Sequence, residues 1–200
     1  MKNAKILIVL IFLTLSQAIG QPLAPTQGYM KSGYFHPFQK SLYDNQSQDL
    51  LNLNFPFSLG LGLSIHNPHH KGFYYNLEIQ LQSKADSKTE VRQVPFFIGG
   101  KYLLGAESAN RFHFYGGANL ILCWSCFTSN AEGNEVEERK DDHIWGYGIG
   151  ANLGLIFDIS DAVFIGLDLN SNFLVSREED KYDYGDIKGV DVSLVLGIGL

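Results

Sequence analysis

Every second residue from Val190 to Leu200 is aliphatic. Val190, Val192, Leu194, Leu196, Ile198 and Leu200 fall on one side of an extended chain, and Asp191, Ser193, Val195, Gly197 and Gly199 on the other. A period of two held over this length means a β-strand with one face in an apolar medium. This run lies in a predicted strand at 189–200, and six others repeat its pattern at 55–66, 73–84, 93–104, 111–126, 143–157 and 162–175. A weaker one is read at 28–37, where Tyr29, Lys31, Gly33 and Phe35 alternate poorly with Met30, Ser32, Tyr34 and His36. Alternating strands of about ten residues are the signature of a barrel that crosses a bilayer. The predicted fold is all-β: an eight-stranded antiparallel transmembrane up-and-down β-barrel.

The connections alternate in length. His66–Gly72, Gly105–Asn110 and Asp158–Asp161 are short, Phe38–Asn54, Phe127–Asp142 and Ser176–Lys188 are long, and Ala85–Arg92 is intermediate. Short turns at one end and long polar loops at the other match the asymmetry of outer-membrane barrels. With both termini periplasmic, the long loops face outward.

Aromatic residues give a separate check, because up and down strands must place them at matching heights. The predicted loop-end girdle is Phe55, Phe57, Trp124, Trp145, Tyr147 and Phe173; the turn-end girdle is Phe73, Tyr75, Tyr102, Phe112, Phe114 and Phe157. Between them the same face carries Leu59, Leu61, Leu63, Leu77, Ile79, Ile98, Ala118, Leu120, Ile149, Leu153, Ile165 and Leu167. Two aromatic belts around an aliphatic band are what the headgroup levels of a bilayer select.

The opposite face decides against a soluble sandwich. It carries Gly60, Gly62, Gly99, Gly117, Gly146, Gly148, Gly150, Gly154, Gly166, Gly197 and Gly199 among Ser, Asn, Gln and a few charges. Glycine weakens a solvent-facing strand without return, whereas the narrow lumen of an eight-stranded barrel needs small residues. A lipocalin-like carrier would need the reverse polarity, apolar inside and polar outside.

Residues 1–20 read as a cleaved secretory signal peptide: Lys2 and Lys5, the apolar stretch Ile6–Leu15, then Ala18-Ile19-Gly20. That stretch is too short for a spanning helix, which needs roughly 20 apolar residues. Residues 21–200 form the barrel domain. Its acidic balance, a net charge of −6 for the chain with scattered Lys and Arg, argues against nucleic-acid binding.

Val94-Pro-Phe-Phe-Ile-Gly-Gly-Lys-Tyr-Leu-Leu104, Phe114-Tyr-Gly-Gly-Ala-Asn-Leu120 and Gly148-Ile-Gly-Ala-Asn-Leu-Gly-Leu155 resemble segments of the outer-membrane β-barrel domain family. This superfamily takes in the small OmpX/OmpA-type, opacity-type and porin-like barrels. The resemblance covers nearly all of residues 21–200 and implies an eight-stranded barrel in a Gram-negative outer membrane. It implies no particular activity, since members serve as adhesins, as stabilisers and in unknown roles. Such chains commonly end in an aromatic that the barrel assembly machinery recognises; this one ends in Leu200.

Glu78, Lys101, Asp168 and Asp191 fall on the inner face, with His113 inward among Tyr115 and Asn119. Glu78 and Lys101, on neighbouring strands, are expected to pair. Buried charges must be paired, so a structural lumen network explains these residues without a gate. His66, His69 and His70 crowd one turn, but no carboxylate or cysteine completes a metal shell. Cys123-Trp-Ser-Cys126 has redox spacing, yet on a strand positions three apart face opposite sides. A disulfide would need the strand to bend or end there.

The expected role is non-enzymatic, structural or adhesin-like, with no cofactor. Its loops hold Glu132, Glu135, Glu137, Glu138, Asp141 and Asp142 in one, and Glu178, Glu179, Asp180, Tyr182, Asp183, Tyr184 and Asp186 in another. Outer-membrane lipid and lipopolysaccharide are the expected surroundings, with an extracellular ligand at the loops. The alternatives are a small-solute porin and a lipid-modifying enzyme built on Ser125 and His143, the nucleophile and base nearest the loop-end girdle.

Overall fold

The structure, a computed structural model, describes residues 26–37, 41–43, 50–52, 55–85, 89–104, 111–130, 139–160, 162–176 and 187–200. The proposed signal segment 1–20 and the acidic loop centres 131–138 and 177–186 lie outside these residues. Ten strands are described: β1 (Thr26–Pro37), β2 (Ser41–Tyr43), β3 (Leu50–Asn52), β4 (Phe55–His66), β5 (Phe73–Ala85), β6 (Thr89–Leu104), β7 (Phe112–Asn130), β8 (Arg139–Asp158), β9 (Val163–Ser176) and β10 (Ile187–Gly199). Eight of them close into one antiparallel barrel in the order β1-β10-β9-β8-β7-β6-β5-β4, and β2 and β3 form a small separate hairpin. No helix among the described residues is long and apolar enough to cross a membrane.

The eight predicted strands are all present. Several reach further toward the loop end than their hydropathy suggested. β7 and β8 stay paired from Phe127↔Asp142 up to Asn130↔Arg139, so residues expected in a loop belong to a ladder. β5 and β6 meet across 86–88 alone, and β2 and β3 lie within the long connection 38–54. Polar strand ends that have left the bilayer carry no apolar alternation, which is why the sequence pattern stopped short of them.

The weak strand proves to be the seam. β1 pairs with β10 from Gln27↔Gly199 to Pro37↔Gly189 and with β4 from Thr26↔Ile65 to Phe35↔Phe55, with an irregularity between Gly33 and Phe35. Every barrel strand therefore has two partners, so no open edge is left to satisfy. At the turn end, Gly72 takes φ 78°, a conformation that side-chain-bearing residues rarely adopt. It completes the turn that Asn67 opens, where the His69 amide donates to Asn67 Oδ1 at 2.9 Å.

The outward face is apolar. Leu194 is 67% exposed and Leu120 66%, and Met30, Leu59, Leu61, Ile79, Ile98, Ile149, Leu153 and Leu167 are exposed beside them. Phe57, Tyr75, Tyr102, Phe112, Phe114, Trp145, Tyr147 and Phe173 are exposed aromatics on this face, and Phe73, Trp124 and Phe157 are half-buried among their neighbours. Phe55 lies on β4, but its side chain is outside the described residues. Leu63 departs from the expectation: its position in the alternation is the outward one, yet it is only 9% exposed, in register between Gly28 and Leu77. A wall this apolar, with its backbone fully paired, is built for hydrocarbon rather than water.

Candidate functional site in the barrel interior

The interior is organised around Lys31. Its strand, β1, is separated from β5 by β4 on one side and from β9 by β10 on the other. The side chain spans both gaps: Nζ lies 2.7 Å from Glu78 Oε2 on β5 and pairs with Asp168 Oδ2 on β9. Tyrosines complete the acceptors' shells. Tyr29 Oη donates to Glu78 Oε2 at 2.8 Å and lies 2.7 Å from Asn76 Oδ1, and Tyr115 Oη donates to Asp168 Oδ1. Along β5, Gln80 Nε2 donates to Glu78 Oε1 at 2.6 Å, and Gln82 Nε2 to Gln80 Oε1 at 3.2 Å.

This arrangement corrects the expected Glu78–Lys101 pair. The β5–β6 register sets Lys101 opposite Tyr74 and Glu78 opposite Phe97, four residues away. Four residues of strand span roughly 13 Å, so adjacency of strands did not bring the charges together. Lys101 instead holds its ammonium over tyrosine rings, 5.1 Å from the centroid of Tyr115, 5.2 Å from Tyr29 and 5.9 Å from Tyr74. Such cation–π contacts stabilise a desolvated ammonium that lacks a direct carboxylate partner. Lys31 was missed because its strand alternated too weakly to assign an inner face.

Toward the turn end, Tyr29, Tyr74, Leu103, Tyr115, Ile156, Phe164 and Val195 pack into one buried cluster. The space left among Tyr29, Lys31, Lys101, Tyr115 and Asn152 is about 10 Å³. That is near the volume that holds one water, so this level of the barrel is filled rather than open. Farther along the strands Phe35, Phe97, Ile121, Cys123 and Leu174 are buried as well.

Glycines make room for these rings. A Cβ on Gly62 would collide with the ring of Tyr29, one on Gly154 with Tyr115, one on Gly197 with Phe164 and one on Gly189 with Phe35. Beyond the general need of a narrow lumen for small residues, the structure makes several of the inner glycines seats for particular aromatics.

The remaining candidates separate. Asp191 is wholly buried and accepts from Ser193 Oγ. His113 is buried, with Nε2 3.0 Å from Asp158 Oδ2. His66 packs edge-on to Tyr74 with centroids 5.1 Å apart, while His69 and His70 are exposed. Among the described residues no three His, Cys, Asp or Glu side chains gather as metal ligands. Cys123 and Cys126 are both free thiols: β7 runs straight through them, burying Cys123 inside and leaving Cys126 half-buried on the other face. Ser125 is buried on the inner face, whereas His143 is exposed and stacks on Trp124 at 5.4 Å. The wall itself stands between these two, so they do not form a nucleophile–base pair.

Comparison with solved structures supports the fold. The chain superposes on Neisserial surface protein A with a TM-score of 0.60 at 12% identity, covering 88% of this chain and 97% of that one. It superposes on a major outer membrane protein from Thermus thermophilus with a TM-score of 0.53 at 8% identity, covering 88% of this chain and 99% of that one. No family model and no curated protein matches the sequence. The fold is that of the small eight-stranded outer-membrane barrels.

Proposed function

We propose that this protein resides in a Gram-negative outer membrane, reached through a cleaved signal at 1–20, and acts there without catalysis, as a structural or adhesin-like surface protein. The observation that carries this reading is the combination of an apolar outer wall with an interior packed by Lys31, its two acids and the tyrosine cluster. A barrel of this kind offers lipid its wall and keeps its lumen for its own side chains. What remains to meet a partner is the loop end, where Tyr182 and Tyr184 stand among charges in the sequence. Aromatics flanked by charges suit recognition. One protein with this fold is, by its name, a surface protein.

Membrane fractionation with a heat-modifiability gel tests the location. A compact band that shifts on boiling, recovered with the outer membrane, is the expected result; recovery in the soluble periplasm refutes it. Replacing 131–138 and 177–186 with short turns tests the loops. Cell-surface adhesion is expected to vanish while insertion persists, and adhesion that survives both replacements overturns the recognition role.

A further inference from the structure

We propose that the barrel interior holds one fixed water molecule, bound between the Lys101 ammonium and the Asn152 carboxamide oxygen in the space over Gly117. Both side chains are buried, Lys101 at 5% and Asn152 at 3% exposure. An ammonium carries three N–H donors and no acceptor. The contacts of Lys101 are tyrosine rings, with centroids 5.1 Å, 5.2 Å and 5.9 Å from Nζ. These rings stabilise the charge but accept no conventional hydrogen bond from the donors. Asn152 Oδ1 is the converse, a buried acceptor with no donor among the described residues. Each is costly on its own in a low-dielectric interior.

Register brings the two together. Lys101 pairs with Gly117 across β6 and β7, and Gly117 pairs with Asn152 across β7 and β8. They therefore stand in one row, on either side of a residue without a side chain. A Cβ on Gly117 would lie 2.5 Å from Asn152 Oδ1 and 2.9 Å from Lys101 Cα, so the carboxamide oxygen lies over the glycine. Lys101 and Asn152 both line the internal space of about 10 Å³ that Tyr29, Lys31 and Tyr115 also touch. That volume suits one water and nothing larger. The charges around it select a neutral occupant. Asp168 and Glu78 act on Lys101 through space and would repel an anion, while the two lysines lining the space would repel a cation. Buried water typically makes about three hydrogen bonds. Here it accepts from Lys101 Nζ and donates to Asn152 Oδ1. The Tyr115 hydroxyl oxygen, whose own proton goes to Asp168, is the further acceptor. The water thereby ties β6 to β8 past the glycine of β7.

A crystal structure of the refolded barrel, at a resolution that shows ordered water, tests this. One density peak is expected within about 3.2 Å of both Lys101 Nζ and Asn152 Oδ1. Crystals soaked in bromide are expected to show no anomalous signal there. An empty space, a peak that reaches only one of the two side chains, or bromide at the site overturns the proposal. Asn152→Leu, close to asparagine in shape but unable to accept, is expected to lose the peak, and a peak kept in that variant overturns the bridge. Should the variant not fold, the wild-type map decides alone.

Discussion

Lys31 reaches Glu78 across an intervening strand, its Nζ 2.7 Å from Oε2 although β4 lies between β1 and β5. The contact is thus a strut through the interior, not a pair along the wall. Removing the lysine strands two buried acids. Lys31→Met is expected to destabilise the barrel by about 3–5 kcal/mol, the usual result of breaking a buried pair from one side. Lys101→Met, which loses cation–π contacts and a longer-range attraction to Asp168 and Glu78 but no direct ion pair, is expected to cost less, about 0.5–2 kcal/mol. Urea titrations of the refolded barrel in lipid vesicles check the order; a Lys101 variant weaker than the Lys31 variant would reverse the assignment of the central cation.

Glycines that seat rings should tolerate alanine poorly. Gly62→Ala and Gly154→Ala set a methyl on Tyr29 and Tyr115, and each is expected to cost about 1–3 kcal/mol, as overpacking does. Gly28→Ala is the matched control, since its added carbon would meet nothing nearer than Leu200 at 3.6 Å. The folded fraction on unboiled gels reads the difference. Equal losses at all three positions would mean that general strand propensity, and not the rings, explains the glycines.

The outer wall can be probed with charge. Leu194→Arg and Leu120→Arg, at the most exposed aliphatic positions, are expected to cost about 2–4 kcal/mol in vesicles, against about 0–1 kcal/mol for Phe112→Arg near the rim. A water-facing wall would accept all three without penalty, so refolding yields distinguish the two environments.

Thiol chemistry reads the course of β7. A hydrophilic maleimide is expected to label Cys126 in the folded protein and Cys123 only after unfolding, since Cys123 is buried inside the barrel. Mass spectrometry of the adducts gives the answer, and an intramolecular disulfide in air-exposed protein would require β7 to break where the structure keeps it straight.

Seven strands were legible because each had one apolar face over enough residues to fix its orientation. β1 was not. Met30, Ser32, Tyr34 and His36 outside are hardly greasier than Tyr29, Lys31, Gly33 and Phe35 inside, and only closure against β10 and β4 settles which is which. The interior was therefore legible in part of its membership, Glu78, Lys101, Asp168 and Asp191 but not Lys31, and not in its wiring. The wiring depends on stagger between strands, and hydropathy says nothing of stagger. Glu78 and Lys101 were adjacent by strand but separated by register; Lys31 and Glu78 were distant by strand but joined by the reach of a lysine across a narrow lumen.

Because the ammonium that joins Glu78 to Asp168 comes from the seam strand, any sheet lacking β1 holds both acids without their direct ion-pair partner. Zipping up the ring and forming that strut are then a single event. Half-assembled forms are penalised twice, by raw hydrogen-bonding edges and by the missing ion pair, which favours an all-or-nothing passage from open sheet to finished cylinder.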